Sequence, residues 1–171
     1  MNRNMSLVLV IIFLTGSCII IIQHAKASAD SWVTKAPMPS SNAGGVAVAL
    51  NGEIYVIGPN FSYVYSPSTN TWVSKILIPT HQQSFAVATF KNKKIHVFGG
   101  CRFFDLITGC SINCAGANEE YNPATNSWET KAPMLTARAE MQANRVNGKI
   151  YVISGTLSND SISNANEVYD Q

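Results

Sequence analysis

The strongest chemical signal in the sequence is a cluster of three cysteines, Cys101, Cys110 and Cys114, within one short stretch. In an oxidising compartment two of them are expected to form a disulfide, leaving one for a partner chain or as a free thiol. The spacing does not say which two. A zinc site is the alternative, but it needs a fourth ligand, and His81 and His96 lie outside the stretch. The stapled loop is therefore preferred, and no metal or cofactor is expected.

Other ionisable residues read as structural. Glu119 and Glu120 are adjacent, so in a strand they point to opposite faces and cannot act together on one atom. Arg138 and Glu167 fall at matching positions of one repeat described below and are read as an ion pair; the alternative is ligand contact. His81 reads as a turn residue and His96 as a packed strand residue. No nucleophile elbow, phosphate loop or metal-binding histidine pair is present in the sequence, and no catalytic residue is assigned.

The elements that carry these residues read as all-β. The 171 residues are only 13% charged, with a net charge of +2, and Lys and Arg are scattered. That balance argues against a nucleic-acid partner. Aromatic and β-branched residues alternate with Gly, Pro, Asn and Ser clusters, the pattern of short strands and tight turns. The N-terminus differs. Arg3 precedes an apolar run from Leu7 to Ile22, and Ala25-Lys26-Ala27 follows. Residues 1–27 therefore read as a signal peptide cleaved after Ala27. The alternatives are an uncleaved membrane anchor and, through Cys18, a lipoprotein. All three place the remainder outside the cytoplasm, secreted or membrane-anchored. Asn60-Phe61-Ser62 and Asn159-Asp160-Ser161 are glycosylation sequons in keeping with that address.

Internal repeats organise the rest. Trp32-Val33-Thr34-Lys35-Ala36-Pro37-Met38 recurs as Trp128-Glu129-Thr130-Lys131-Ala132-Pro133-Met134, with a weaker copy from Trp72 to Pro79. Between tryptophans come hairpin signals at Asn51-Gly52, Asn92-Lys93 and Asn147-Gly148. Asn-Gly supplies the positive-φ corners of a type I′ turn. A second turn reads Tyr-x-Pro-x-Thr-Asn-x-Trp, ending at Trp72 and at Trp128. Proline presets its first corner and asparagine tolerates the left-handed one. Small residues such as Gly44, Gly45, Ala86 and Ala88 suit strands crowded near an axis, and each tryptophan suits the wedge between sheets.

These motifs resemble the kelch repeat family, in which each repeat forms one four-stranded blade of a β-propeller. The resemblance covers residues 32–171. It implies an all-β, kelch-type propeller segment over 31–171, with blades near 43–77, 84–132 and 139–171 and an extra outer strand at 31–36. Cys101–Gly116 is read as a loop inserted between the second and third strands of the middle blade. The family's Gly-Gly pair is intact at Gly99-Gly100, and its arginine survives as Arg138. Trp32, Trp72, Trp128, Gly99, Gly100, Arg138 and Glu167 are expected to be structural.

Three blades are fewer than the four to eight that close a propeller. The chain reads either as a truncated gene fragment or as half of a six-bladed homodimer made by strand exchange. The expected function is non-catalytic binding of a protein or glycan outside the cell. The long loop supplies the contact candidates Arg102, Phe103, Phe104 and Asp105. The alternative implied by the resemblance is a carbohydrate-active enzyme of the sugar mutarotase type, though no catalytic residue matches.

Overall fold

The computed structural model describes residues 7–14, 17–24, 31–41, 44–80, 82–91, 93–104 and 111–170, and all regular structure among them is β. The chain divides into two compact units, Met1–Lys35 and Ala36–Gln171. In the first, β1 (Leu7–Leu14) and β2 (Ser17–His24) form an antiparallel hairpin closed by Leu14 opposite Ser17. The proposed cleavage point at Ala27 lies outside the described residues. No helix among the described residues is long and apolar enough to cross a membrane.

The second unit holds three repeated sheets. Blade one runs β3 (Val46–Leu50), β4 (Glu53–Ile57), β5 (Ser62–Ser66) and β6 (Thr71–Ser74), in that spatial order. Blade two runs β7 (Ala86–Phe90), β8 (Lys94–Phe98), β11 (Asn118–Asn122) and β12 (Ser127–Thr130). Between β8 and β11 a separate hairpin, β9 (Cys101–Phe104) with β10 (Ser111–Cys114), occupies the insertion. Blade three has β13 (Gln142–Val146), β14 (Lys149–Ile153) and β15 (Asn166–Tyr169).

The turn chemistry explains these hairpins. Asn51 and Gly52 have φ of 52° and 80°, and Asn147 and Gly148 have 50° and 81°. Both residues of each pair thus sit in the left-handed region that a type I′ turn demands. In the second turn, Asn70 and Asn126 take φ of 56° and 50°. Each is fixed by its own repeat, since Tyr65 Oη donates to Asn70 Oδ1 at 2.7 Å and Tyr121 Oη to Asn126 Oδ1 at 2.8 Å.

Packing between sheets forms the core. Leu50, Tyr55, Ile57 and Val64 of blade one meet Phe85, Val87, Ile95, Val97 and Tyr121 of blade two. Ala86, Ala88, Phe90 and Phe98 of blade two meet Met141, Ile150 and Val152 of blade three. Ile95 and Ile150 are wholly buried, each contributing ~1.5–3 kcal/mol.

Two expectations from the sequence are corrected. Residues 31–36 form no strand, because no strand lies alongside them among the described residues and an unpaired strand has no ladder to hold it. For the same reason Trp32 fills no wedge between sheets and is fully exposed, whereas Trp72 and Trp128 are half-buried.

The Gly-Gly pair shows how tightly blades approach. Gly99 and Gly100 have φ of 60° and 98°, and Gly100 N donates to Arg138 O of the next blade at 3.0 Å. A Cβ on Gly99 would collide with Met141 and with the Arg138 carbonyl; one on Gly148 would meet nothing. Gly148→Ala is expected to cost ~1 kcal/mol from backbone strain alone. Gly99→Ala adds overpacking of ~1–3 kcal/mol to a similar strain. Urea unfolding of the two variants checks the ranking; equal losses would refute the close approach.

Candidate functional site

Antiparallel strands alternate direction, so every second connection emerges at the same end of a blade. The β4–β5, β8–β11 and β14–β15 connections therefore share one end of the arc with the links that join successive blades. The inserted hairpin β9–β10 rises from this end. Its strands pair Cys101 with Cys114, Arg102 with Asn113, Phe103 with Ile112 and Phe104 with Ser111.

Cys101 and Cys114 form the disulfide, at the root of the hairpin and with both side chains buried. Closing a loop of this size contributes ~3 kcal/mol in the chain-entropy account. Cys110 and Asp105 lie outside the described residues, as does His81. The root is bound on three sides. Cys101 and Gln83 exchange backbone hydrogen bonds at 2.9 and 3.0 Å. Arg102 Nη2 donates to Thr80 O at 2.8 Å. Cys114 N donates to Ser158 Oγ of blade three at 3.0 Å. The hairpin thus stands on a rigid base, with Arg102 and Asn113 exposed. Asn60 and Asn159 are exposed at the same end. Ser161 Oγ donates to Asn159 Oδ1 at 2.6 Å, while Ser62 is buried in β5.

Arg138 is wholly buried and spends its guanidinium on four acceptors. It donates to Ser154 O (2.9 Å), Val152 O (2.9 Å), Thr136 O (3.0 Å) and Glu167 Oε1 (2.6 Å). Glu167 also accepts from the Leu135 and Thr136 amides. Burial pushes the Glu167 carboxyl up, but the hydrogen bonds from Thr136, Arg138 and Leu135 outweigh it and hold the group below its ordinary value. The pair ties the entry of blade three to its third strand and uses four of the five guanidinium N–H donors within the blade.

A second buried cluster was missed from sequence. Glu120 lies opposite His96 across β11 and β8. Glu120 Oε2 and His96 Nε2 are 3.2 Å apart, without hydrogen-bond alignment, and neither atom has another hydrogen-bond partner among the described residues. His96 Nδ1 lies 2.9 Å from Asn118 Oδ1. Lys94 and Lys131 flank Glu120 Oε1 at 3.4 and 3.7 Å. Glu119, on the opposite face, accepts from Thr80 Oγ1 at 2.9 Å. The only advance signal for the His96–Glu120 contact was that His96 replaces the tyrosine found as Tyr55 and Tyr151 in the other blades.

Repeated four-stranded sheets packed face to face, joined at alternating ends, define a β-propeller repeat protein. The solved structure of YjhT shares this fold, with a TM-score of 0.61 at 22% identity, covering 71% of this chain and 36% of that one. The sequence relatives are uniform. Beta-scruin of Limulus polyphemus is 24% identical over 171 residues, covering 91% of this chain and 18% of its own length. Human Kelch repeat and BTB domain-containing protein 12 is 26% identical over 147 residues, covering 74% and 23%. An F-box/kelch-repeat protein of Arabidopsis thaliana is 36% identical over 95 residues, covering 52% and 26%. No family model matches. The chain is similar to kelch-repeat proteins, and it spans about a quarter or less of the length of the first curated relatives it matches.

Two predictions follow from the buried charges. Glu167→Gln leaves the Arg138 charge unpaired inside blade three and is expected to cost ~3–5 kcal/mol, read by urea denaturation. His96 is held below its ordinary value of 6.5, chiefly by desolvation, against the raising effects of Asn118 and Glu120. Its contribution to stability is therefore present above 6.5 and is lost as pH falls through that value towards the folded pKa. Stability should decline across that window, and His96→Gln should flatten the decline; an unchanged slope would exclude His96 as its source.

Proposed function

We propose that this chain is a non-catalytic recognition module exposed outside the cytoplasm, and that the β9–β10 hairpin contacts a protein or glycan ligand. The observation that carries the reading is a disulfide-closed hairpin inserted in one blade and rooted on its neighbour. Loops held on a rigid scaffold can be selected for contact without disturbing the core. Arg102, exposed beside Thr80, offers a charged, hydrogen-bonding side chain to such a ligand.

Three features support the address and the absence of chemistry. A disulfide persists in an oxidising compartment. The N-terminal apolar run followed by Ala25-Lys26-Ala27 fits an export signal. The ionisable residues Arg138, Glu119 and Glu120, which are buried, and Glu167, which is half-buried, are engaged by neighbouring side chains and backbone, which is how structural charges are held.

The test uses the full chain and a variant in which residues 102–113 are replaced by Asn-Gly, keeping both disulfide cysteines. Both are screened on a glycan array and a panel of secreted proteins. The parent is expected to bind at least one ligand, and the variant to lose at least tenfold in affinity (about 1.4 kcal/mol) while unfolding at the same temperature. Arg102→Ala should lose part of it. Undiminished binding by the shortened variant would remove the hairpin from the function.

A further inference from the structure

The turn between the first two strands lies at the end of each blade opposite the hairpin, and blades one and three build it alike. Leu50 pairs with Glu53 and Val146 with Lys149, so Asn-Gly alone makes each turn. Blade two departs from this. Phe90 pairs with Lys94, which puts residues 91–93 in the turn, and Lys93 N donates to Phe90 O at 3.1 Å. The sequence here reads Lys91-Asn92-Lys93-Lys94. Lys91 follows Phe90 as Asn51 follows Leu50 and Asn147 follows Val146, and it takes a left-handed φ of 48°. Asparagine tolerates that corner, whereas lysine there is strained. Strain held at an exposed corner that another residue would relieve points to a use for the lysine.

The fold brings a further cation to this turn. Phe90 is buried, and Lys91 Nζ rests over its ring, 4.8 Å from the centroid. Phe90 in turn meets the Tyr169 ring of blade three at 6.2 Å between centroids. Tyr169 lies opposite Ile150, and Ile150 opposite Arg145, so these three side chains share the face turned towards blade two. Lys91, Lys93 and Arg145 are all exposed. Cations scattered along the sequence thus converge on one end of one seam. Of the flanking acids, Glu120 lies buried beside Lys94 and Lys131, Asp170 is 2.9 Å from Lys149, and Glu53 accepts from Tyr55.

We propose that Lys91, Lys93 and Arg145 form a second binding surface, and that its ligand is an acidic polysaccharide bearing sulfate or carboxylate groups. Exposed cations from two blades overlap in a positive potential that reaches about 8 Å at physiological salt. A polymer with repeated anionic groups engages several of them at once, which a single small anion cannot do. Two of the three cations are lysines. Lysine is a compact point charge on a flexible stem, and it meets sulfates and carboxylates of varied orientation without the fixed fork of arginine.

Two observations favour a polysaccharide over other polyanions. The three turns at this end, Asn51-Gly52, residues 91–93 and Asn147-Gly148, contain no apolar residue to enter a lipid surface. Anionic lipid and nucleic acid are partners of the cytoplasmic side, so the choice of glycan rests on the extracytoplasmic address proposed above. The surface itself does not rest on the hairpin. It lies at the other end of the blades, so a polyanion held there leaves β9–β10 open to its own ligand.

The experiment passes the full chain over immobilised heparin and over neutral dextran, each eluted with a salt gradient. Retention on heparin alone, lost as salt rises, is expected. The double variant Lys91→Gln, Lys93→Gln should bind heparin about tenfold more weakly, and adding Arg145→Gln should weaken it further. Lys91→Asn should also weaken binding while raising the urea midpoint, because it relieves the strained corner. A folding defect cannot produce that combination. Full retention by the double variant, or equal retention on dextran, overturns the proposal. Tighter binding at equal ionic strength to phosphatidylserine vesicles, duplex DNA or polyglutamate overturns the choice of polysaccharide. The variant lacking residues 102–113 loses Arg102 and Asp105 together, so its net charge is unchanged. It should keep full heparin retention even where the hairpin ligand is lost, which separates failure of this surface from failure of the hairpin; loss of retention in that variant overturns the placement at the turns.

Discussion

A four-stranded antiparallel sheet has two faces and two edges, and alone it can bury neither pair. Every other feature of this protein follows from the way each sheet borrows a surface from the next. The shared layers are made of Ile, Val, Phe and Tyr from both neighbours, with Ile95 and Ile150 wholly buried. Because the layers are shared, the strands can be short, four or five residues in each blade. The backbone cross-links are fitted around that contact. Gly100 donates to the Arg138 carbonyl, and each half-buried indole reaches back to the segment entering its blade.

Close approach dictates where charge can sit. The narrow space at the root of blade three accepts the Arg138 guanidinium only because four oxygen acceptors meet it. Blade two solves the matching problem differently. Buried Gln82 stands where blade three has Arg138, since Gln83 bridges Cys101 as Ala139 bridges Thr156, and Glu119 turns to Thr80. Glu120 instead faces His96 between blades two and three, under the ring of Tyr169, whose centroid lies 5.1 Å from the imidazole. A buried imidazole at such a seam, held below its ordinary pKa chiefly by desolvation, makes the cohesion of two blades sensitive to pH.

The hairpin β9–β10 is different in kind from the blades. Its root is packed through Cys101, Cys114 and Ala139. The disulfide supplies the closure that a hydrophobic face supplies elsewhere. A covalently closed hairpin that exposes Arg102 and Asn113 separates the demand for contact from the demand for stability, which is the physical argument behind the proposed recognition role.

Much of the fold was legible in the sequence because turns are local. Asn51-Gly52 and Tyr-x-Pro-x-Thr-Asn-x-Trp state their backbone conformations within a few residues, and their repetition sets the blades in order. The Arg138–Glu167 contact could be read the same way, from matching places in one repeat. Pairings that depend on register across an insertion could not be read. Cys101 bonds to Cys114 because those two face each other across β9 and β10, a fact that spacing alone left open. His96 meets Glu120 because β8 and β11 align on either side of that insertion. The exposure of Trp32 belongs to the same class, since a strand exists only where another backbone offers hydrogen bonds. The sequence by itself determined the strands, turns and blade order, through steric preferences that act over a few bonds. Only the tertiary structure decided which distant groups are paired, because pairing depends on which surfaces are brought within hydrogen-bonding reach.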